Sequence, residues 1–452
     1  MSRVRVRCIL APFGEDILSL AGEIDQSSEG FAERHFLRNA SMLITENAGF
    51  SIAITFVGLT TVMPTFVTLL GGSPFLVGLI GACQTAGALL TQIIGARLCA
   101  GKTRMKPYLL TPLYIGRPAI LVVGVLTFIL GTGTNWLLLS VFFIALFVFF
   151  ATDGVASVPW YELISKTIPP TRRGRMFGTA QIAGGLTGIA VGWVVSRILG
   201  AHGLTFPYNY ALLFGISGTL FILNNLPFVF MKEPVLEGAA VGSSEDVSVV
   251  HFLGSLGKIL RDDANFVRVI AARLLFGIGL SVFPFYVLFM DKFAGYGASS
   301  LGLFTSAQVF GGFVGGLLLG WVADRIGTRS VVRLASVVGG AIPGIGLIIF
   351  GFHERFGQLL LVPAIGIFVL IGAAMSMNMI GFSNYILEAA PVELRPKYVG
   401  LFNTLAGTLL IASPLAGWLL DRTSYGVLFA VALAGNLLSL LLSLGLHAPA
   451  RK

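Results

Sequence analysis

Between Ser299 and Phe352 the chain reads SSLGLFTSAQVFGGFVGGLLLGWVADRIGTRSVVRLASVVGGAIPGIGLIIFGF. Two long apolar runs flank a short turn, and every charge of the stretch, Asp324, Arg325, Arg329 and Arg333, sits in or beside that turn. A helix rises about 1.5 Å per residue, so roughly 20 apolar residues cross a hydrocarbon core of roughly 30 Å. Each run meets that requirement. The stretch therefore reads as two membrane helices joined by a hydrophilic hairpin loop, and the rest of the chain is built the same way.

The 452 residues are 55% apolar and only 11% charged, with a mean hydropathy of +0.88. Soluble domains carry about 25% charged residues to cover a water-facing surface. This composition excludes a soluble enzyme, a disordered chain and a nucleic-acid binder, despite the net charge of +9. Cys8, Cys83 and Cys99 form no CxxC or metal spacing, and an odd count argues against a disulfide framework. Further apolar runs complete a set of twelve predicted spans: 42–70, 74–96, 107–130, 136–158, 177–199, 208–230, 267–290, 299–321, 331–352, 357–386, 397–420 and 424–446. The predicted organisation is a tail over 1–41, a six-helix bundle over 42–231, a linker over 232–266, a second bundle over 267–446 and a tail over 447–452. Arg3, Arg5 and Arg7 precede an apolar run too short for a secretory leader, so 1–41 reads as cytosolic. His251 to Leu260 reads as a short helix lying on the membrane surface.

Lys and Arg are retained on the cytosolic side. With the N-terminus inside, only Arg197, Lys292, Arg355 and Arg422 of the thirty Lys and Arg fall at outer ends, and only Arg117 and Arg273 fall within spans. Both termini are thus expected in the cytosol, and the basic balance reports topology rather than an acidic partner. The expected location is the plasma membrane, in a bacterium the inner membrane.

The two sets of six spans match at an offset of roughly 220 residues. Pro64 pairs with Pro284; Gly78, Gln84 and Gly87 with Gly302, Gln308 and Gly311; Pro169, Arg173, Arg175 and Gly178 with Pro391, Arg395, Lys397 and Gly400; Gly192, Trp193 and Arg197 with Gly417, Trp418 and Arg422. Parallel repeats of this kind pack as two bundles about an axis along the membrane normal, with a binding site between them near the midplane. Gly184, Gly188 and Gly192, and likewise Gly312, Gly316 and Gly320, place small-residue stripes on two helices. Such stripes mean either ordinary close packing or a seam between the halves.

The turn in the opening stretch can now be read in full. Gly320, Asp324, Arg325, Gly327, Arg329 and Arg333, between spans 8 and 9 on the cytosolic side, resemble the signature loop of the major facilitator superfamily. With the twelve spans and the repeat, the resemblance covers roughly residues 40–446. It implies an all-α polytopic membrane protein, two pseudo-symmetric six-helix bundles, working as a secondary transporter. Physically, the Asp324 carboxylate suits a helix N-terminus or an arginine, and Gly327 permits the tight turn. The first-half copy departs from the pattern, with Cys99 where Asp324 sits although Lys102, Arg104 and Lys106 keep the loop basic, which predicts either a one-sided latch or a first half closed by other contacts. Span 5 lacks the Gly-Pro-x-x-Gly-Gly pattern of the superfamily's drug–proton antiporters, reading Gly188-Ile-Ala-Val-Gly192 instead.

Charge inside a membrane is costly and usually functional or paired. Arg117 lies about 15 Å into span 3 and Asp153 about 10 Å from the inner end of span 4, so the two are expected to pair if those faces meet. Glu46, in the first turns of span 1, is placed to join them, while Arg273 in span 7 has no obvious partner in its own half. The set reads either as a buried pair fixing helix register or as a proton-titrating group, with Asp153 or Glu46 the acid. Thr60, Thr61, Gln84, Gln181, Gln308, Ser376, Asn378 and Asn403 are candidate cavity residues, on helices that border the cavity in the resembled family. Interhelical hydrogen bonding is the alternative role for each. The Thr60–Thr65 stretch, with Pro64, predicts a kink.

No GxxxxGK[ST] loop, HExxH or Ser/His/Asp arrangement occurs, so neither ATP hydrolysis nor enzymatic chemistry is expected, and no cofactor. The expected function is alternating-access transport of a small, neutral or amphipathic organic solute, with proton coupling through Asp153 or Glu46 as a branch of it. An uncoupled facilitator and a transport-inactive scaffold or sensor retaining the fold are the alternatives. The expected partners are the solute, protons and the lipid bilayer, for a monomer that binds no nucleic acid.

Overall fold

The computed structural model describes residues 28–200, 204–234, 257, 259–356, 360–391 and 394–448. Among the described residues there is no strand. Twelve helices are long and apolar enough to cross a membrane. Spans 1 to 6 are Phe36–Leu69, Pro74–Cys99, Lys106–Leu130, Asn135–Thr167, Pro170–Leu199 and Tyr208–Phe230. Spans 7 to 12 are Ala264–Ala294, Ala298–Ile326, Thr328–Arg355, Leu361–Ala389, Lys397–Arg422 and Tyr425–Leu444. All twelve predicted runs are present. Their helices run past the apolar stretches where polar residues continue the helix outside the hydrocarbon, most visibly at the facing ends of spans 4 and 5. A short helix, Ser28–Arg34, precedes span 1, while the surface helix expected at 251–260 lies largely outside the described residues.

Several spans are interrupted, and the interruptions follow the sequence. Span 1 stops being helical between Val57 and Val62, where Gly58 takes a φ of 36° that disfavours any residue with a Cβ. This is the kink expected near Pro64, set a turn and a half earlier by the glycine. Span 7 breaks between Ser281 and Phe283, just before the repeat-matched Pro284. Span 3 is divided at Arg117, which is followed by Pro118. Span 10 widens into a π-helix over Asn378–Ser383, a local geometry frequent at functional sites.

Span 5 packs along span 8, and span 2 along span 11. At these contacts the repeat-matched glycines reappear as the points of closest approach. A Cβ on Gly192 would collide with Ser306 Oγ and Gly302 O, and one on Gly302 with Gly192 O. On the other side of the molecule a Cβ on Gly78 would strike Ser413 O, and one on Gly417 would strike Pro74 O. The span 5 stripe lies on the contact between the halves, where Gly188 meets Val309 and Gly192 meets Gly302. In span 8 the seam is made by Gly302, whereas Gly312 faces Gly372 in span 10 and nothing approaches Gly320 within 4 Å.

The cross-half hydrogen bonds among the described residues all lie toward the face away from the termini, here called the far side. Phe75 N–H donates to Asp421 Oδ2 (3.1 Å), placing a carboxylate at the N-terminus of span 2 where the helix dipole favours it. Ser196 Oγ donates to Ser299 O (2.7 Å) and Ser306 Oγ to Ile189 O (2.9 Å). Aromatic clusters stiffen this side in each half: Phe66, Phe142, Tyr210 and Phe214 in the first, Tyr286, Phe289, Tyr425 and Phe429 in the second. Toward the terminal side, no atom comes within 4 Å of a Cβ built on Gly174, Gly178, Gly320 or Gly400. Among the described residues the two halves are joined by hydrogen bonds on the far side and by no described hydrogen bond or ion pair on the terminal side.

Candidate functional site

A cavity of about 650 Å³ lies where the halves meet. Its walls include Ser51 and Thr55 of span 1, Phe177 and Gln181 of span 5, Gln308 and Phe313 of span 8, and Met375 and Ser376 of span 10. None of the lining side chains is charged. Thr55 Oγ1 donates to Ser51 O (2.6 Å) and Ser376 Oγ to Gly312 O (2.8 Å), so both hydroxyls spend their proton on helix carbonyls. Gln181 projects into open space.

Above the cavity, toward the far side, the broken stretch of span 1 reaches across to span 8. Thr60 Oγ1 donates to Gln308 Oε1 (2.6 Å), and Thr61 Oγ1 and Thr305 Oγ1 share a buried hydrogen bond of 2.8 Å. Because residues 58–61 leave the helix, their side chains can cross the interface instead of following the span 1 face.

Of the candidates named from sequence, Gln181, Gln308 and Ser376 line this cavity, and Thr60 and Thr61 close its far end. Gln84 and Asn403 are exposed and stand outside the cavity lining. Asn378 begins the π-helix, with Oδ1 buried and unpartnered. Sequence reasoning missed Ser51, Thr55, Phe177, Phe313, Met375 and Thr305, which carry no signal distinguishing them from ordinary helix-packing residues.

The charged set is arranged differently from the expected pairing of Arg117 with Asp153. Arg117 Nη2 pairs with Glu46 Oε1 at 3.3 Å, both side chains being nearly inaccessible. Arg117 Nη1 donates to Asn225 Oδ1 (2.7 Å), and Asn224 Nδ2 reaches Glu46 Oε1 at 3.4 Å. Phe50 presents its ring 5.9 Å from the guanidinium. Asp153 lies within electrostatic reach of Arg117 and Glu46 but makes no ion pair or hydrogen bond among the described residues. Its helix is turned by the close contact of Gly116 with Thr152, which sets Thr152, not Asp153, against span 3. The Asn224-Asn225 doublet was the available sequence signal for this network: two adjacent amides inside an apolar span need partners. Arg273 stacks over Phe382 at 5.6 Å, and its Nη1 is buried without a partner.

The signature loop is not latched in this conformation. Gly327 has a φ of 106°, as the tight turn requires. Asp324 is exposed and neither caps a helix nor pairs with an arginine among the described residues. Arg325 stacks on Trp321 at 5.1 Å. Arg329 and Arg333 instead reach the last carbonyls of span 12: Arg333 donates to Ser443 O (3.1 Å) and Leu444 O (2.8 Å), Arg329 to Leu446 O (3.4 Å). In the first half Lys106 Nζ donates to Val229 O (2.8 Å) and Met231 O (2.9 Å) at the end of span 6.

The family model of the Major Facilitator Superfamily matches residues 47–411, with a second match over 282–452. The chain belongs to this superfamily. It is 30% identical over 162 residues to the uncharacterized MFS-type transporter YfiS of Bacillus subtilis strain 168, covering 34% of each chain. It is 24% identical over 169 residues to a D-xylose transporter of Levilactobacillus brevis, covering 37% of this chain and 32% of that one. The chain thus spans about a third of the length of the curated relatives it matches. A solved structure of the nucleoside transporter NupG, a D323A mutant, superposes with a TM-score of 0.69 at 14% identity, covering 90% of this chain and 99% of that one. The fold is that of the superfamily, and with twelve helices long and apolar enough to cross a membrane the chain is a multi-pass membrane protein.

Proposed function

We propose that this transporter carries a small, neutral or amphipathic organic solute by alternating access, and that the conformation described is the one open to the terminal face. The observation carrying this reading is the cavity between the halves, walled by amides, hydroxyls and aromatic rings without a charge and closed on one side only. A highly charged solute would find no counter-charge in that wall and would have to shed its hydration without compensation. With the basic residues retained inside, the open face is the cytosolic one in a plasma or bacterial inner membrane. Nothing in the mechanism calls for more than one copy.

Proton coupling through Asp153 and Glu46 belongs to the same proposal. Asp153 is a carboxylate within the membrane without a bonded partner, beside the Glu46–Arg117 pair. A proton added there would change the balance of charge against Arg117 and bias one arrangement of spans 1, 3 and 4.

The test is a thermal-stability screen of the detergent-purified protein against a solute library at pH 5.5 and 7.5, with D-xylose and uridine included. A solute at a hundred times its Kd should stabilise the binding state by about 2.7 kcal/mol. The expected result is a neutral hydroxylated hit whose affinity changes with pH, and whose pH dependence disappears in Asp153→Asn or Glu46→Gln. A hit with the same affinity at both pH values would remove the coupling and leave a facilitator. Hits confined to highly charged solutes would overturn the solute class.

A further inference from the structure

The cavity wall and the far-side closure share one residue. Gln308 lines the cavity, yet its carbonyl oxygen is held by Thr60 of the opposite half at 2.6 Å. Its amide nitrogen meets only Met375 Sδ at 3.3 Å. A thioether is a weak acceptor and an amide carries two N–H donors, so the Gln308 NH₂ is under-satisfied on the face it turns to the cavity. One turn toward the far side on the same helix, Thr305 makes the buried bond to Thr61. Thr60 and Thr61 both belong to the non-helical stretch that begins at Gly58, whose backbone is held by no continuous helical ladder.

We propose that Gln308 is the positioning residue through which a bound solute unlatches the far side. A solute oxygen that accepts from Gln308 Nε2 replaces the sulfur with a stronger acceptor. The planar amide turns to meet it, and its carbonyl is drawn away from Thr60. Removing that bond weakens the closure at the point nearest the cavity and leaves Thr61–Thr305 as the remaining side-chain link between spans 1 and 8. Occupancy is thereby coupled to opening. The chemistry also narrows the solute. It must present an acceptor oxygen to span 8, and Gln181, on the other half and in the same cavity, offers an amide that pairs with a donor and an acceptor together. A neutral polyhydroxylated or amide-bearing molecule bridging the two glutamines fits; a hydrocarbon does not. This inference rests on the transport reading above for the solute, but its latch stands on geometry alone.

The experiment measures far-side separation by spin-label distance in the full chain, with labels at Thr132→Cys and Glu354→Cys and the native cysteines replaced. Without any solute, Thr60→Val should raise the far-side-open fraction roughly five-fold, the factor set by one net hydrogen bond. Gln308→Leu should do the same, and the double variant should add nothing, because both remove the same bond. Gln308→Glu keeps an acceptor for Thr60 and should stay closed. D-xylose and uridine are the probes for the second arm: the one that stabilises the wild type should lengthen its far-side distance and leave that of Gln308→Glu unmoved. Unchanged distances in Thr60→Val and Gln308→Leu overturn the latch, even if solute transport is found. A wild type that answers neither probe, in melting or in distance, overturns the solute-sensing half, while the solute-free arm still decides the latch.

Discussion

In the first half of the molecule the intramembrane arginine is surrounded: Arg117 meets Glu46, Asn225 and the Phe221 carbonyl. In the second half Arg273 has one aromatic face and a buried Nη1 with no partner. The two halves share a repeated pattern, legible in their matched glycines and prolines, yet they treat charge in opposite ways. The difference teaches where each half is committed. The first half ties spans 1, 3 and 6 together through Glu46, Arg117, Asn224 and Asn225, although Arg117 Nε and Asn225 Nδ2 find no partner among the described residues. The second half keeps a cation that has a ring contact with Phe382 but no ion pair among the described residues, so spans 7 and 10 can rearrange around it without breaking an ion pair.

The comparison breaks most visibly by deleting each arginine. Arg117→Met leaves Glu46 buried without its partner, and losing one member of a buried pair costs about 3–5 kcal/mol. Arg273→Met leaves no orphan behind, removes a buried charge and keeps an apolar stem against Phe382, so its effect should be neutral or stabilising, by up to about 1–4 kcal/mol. Unfolding in mixed detergent, followed for both variants, reads the contrast directly. An equal loss in the two would mean that Arg273 has a counter-charge in the membrane and that the asymmetry is false. The Glu46→Gln, Arg117→Met double variant sharpens the point: it should be more stable than Arg117→Met alone, since the buried charge has gone, with a coupling of roughly 1–3 kcal/mol.

Elsewhere the halves agree, and there equal effects are expected. Arg38 donates to Phe230 O (3.0 and 2.8 Å) and Arg268 to Gly445 O (3.3 Å), the same cap on spans 6 and 12. Lys106 and Arg333 repeat the arrangement from spans 3 and 9. A cation at a helix C-terminus is worth about 0.3–1 kcal/mol when exposed, and Lys106 and Arg333 are half-buried. Lys106→Met and Arg333→Met should therefore each cost about 1 kcal/mol in the same unfolding assay. A cost confined to one half would show that the repeat is preserved in sequence but not in load.

These caps also explain what was legible in the sequence and what was not. Twelve spans, their order and a kink in span 1 follow from apolar length and from residues that cannot continue a helix. The break itself falls at Gly58 rather than at Pro64, and the one at Arg117 was not read. Arg329 and Arg333 could be seen as basic loop residues, but their partners could not, because a backbone carbonyl at the end of span 12 leaves no mark in composition. The cavity was legible only where a polar side chain is unusual in a span, as at Gln181 and Gln308. Ser51 and Thr55 were silent, since such hydroxyls bond their own helix carbonyls anywhere. Asp153 failed differently. Its depth matched Arg117, but helix rotation is set by packing, here Gly116 against Thr152, and rotation cannot be read from depth.

The smallest expected effect concerns the two loops that follow spans 2 and 8. The second carries Asp324 and the first carries Cys99 in its place, which reads either as a one-sided latch or as a first half held by other contacts. Yet a carboxylate is present in the first loop's neighbourhood: Glu233, just beyond span 6, accepts from the backbone N–H groups of Met105 and Lys106 (3.1 Å for the latter). Glu233 therefore caps span 3, while Cys99 is buried with Met105, Leu163 and Ile164 in an apolar cluster. In this conformation the helix after the first loop is capped by Glu233, whereas Asp324 caps no helix among the described residues. Glu233→Gln should cost about 1 kcal/mol, the usual value of an N-terminal cap, in the conformation described. Asp324→Asn should change melting by less than about 0.5 kcal/mol, as for a surface group with no partner. If Asp324 engages a helix end only when the terminal side closes, Asp324→Asn should instead lower the far-side-open fraction in the labelled protein, whereas Glu233→Gln should leave that fraction alone. A melting loss in Asp324→Asn as large as that of Glu233→Gln would place both carboxylates in fixed caps, and the contrast between the loops would disappear.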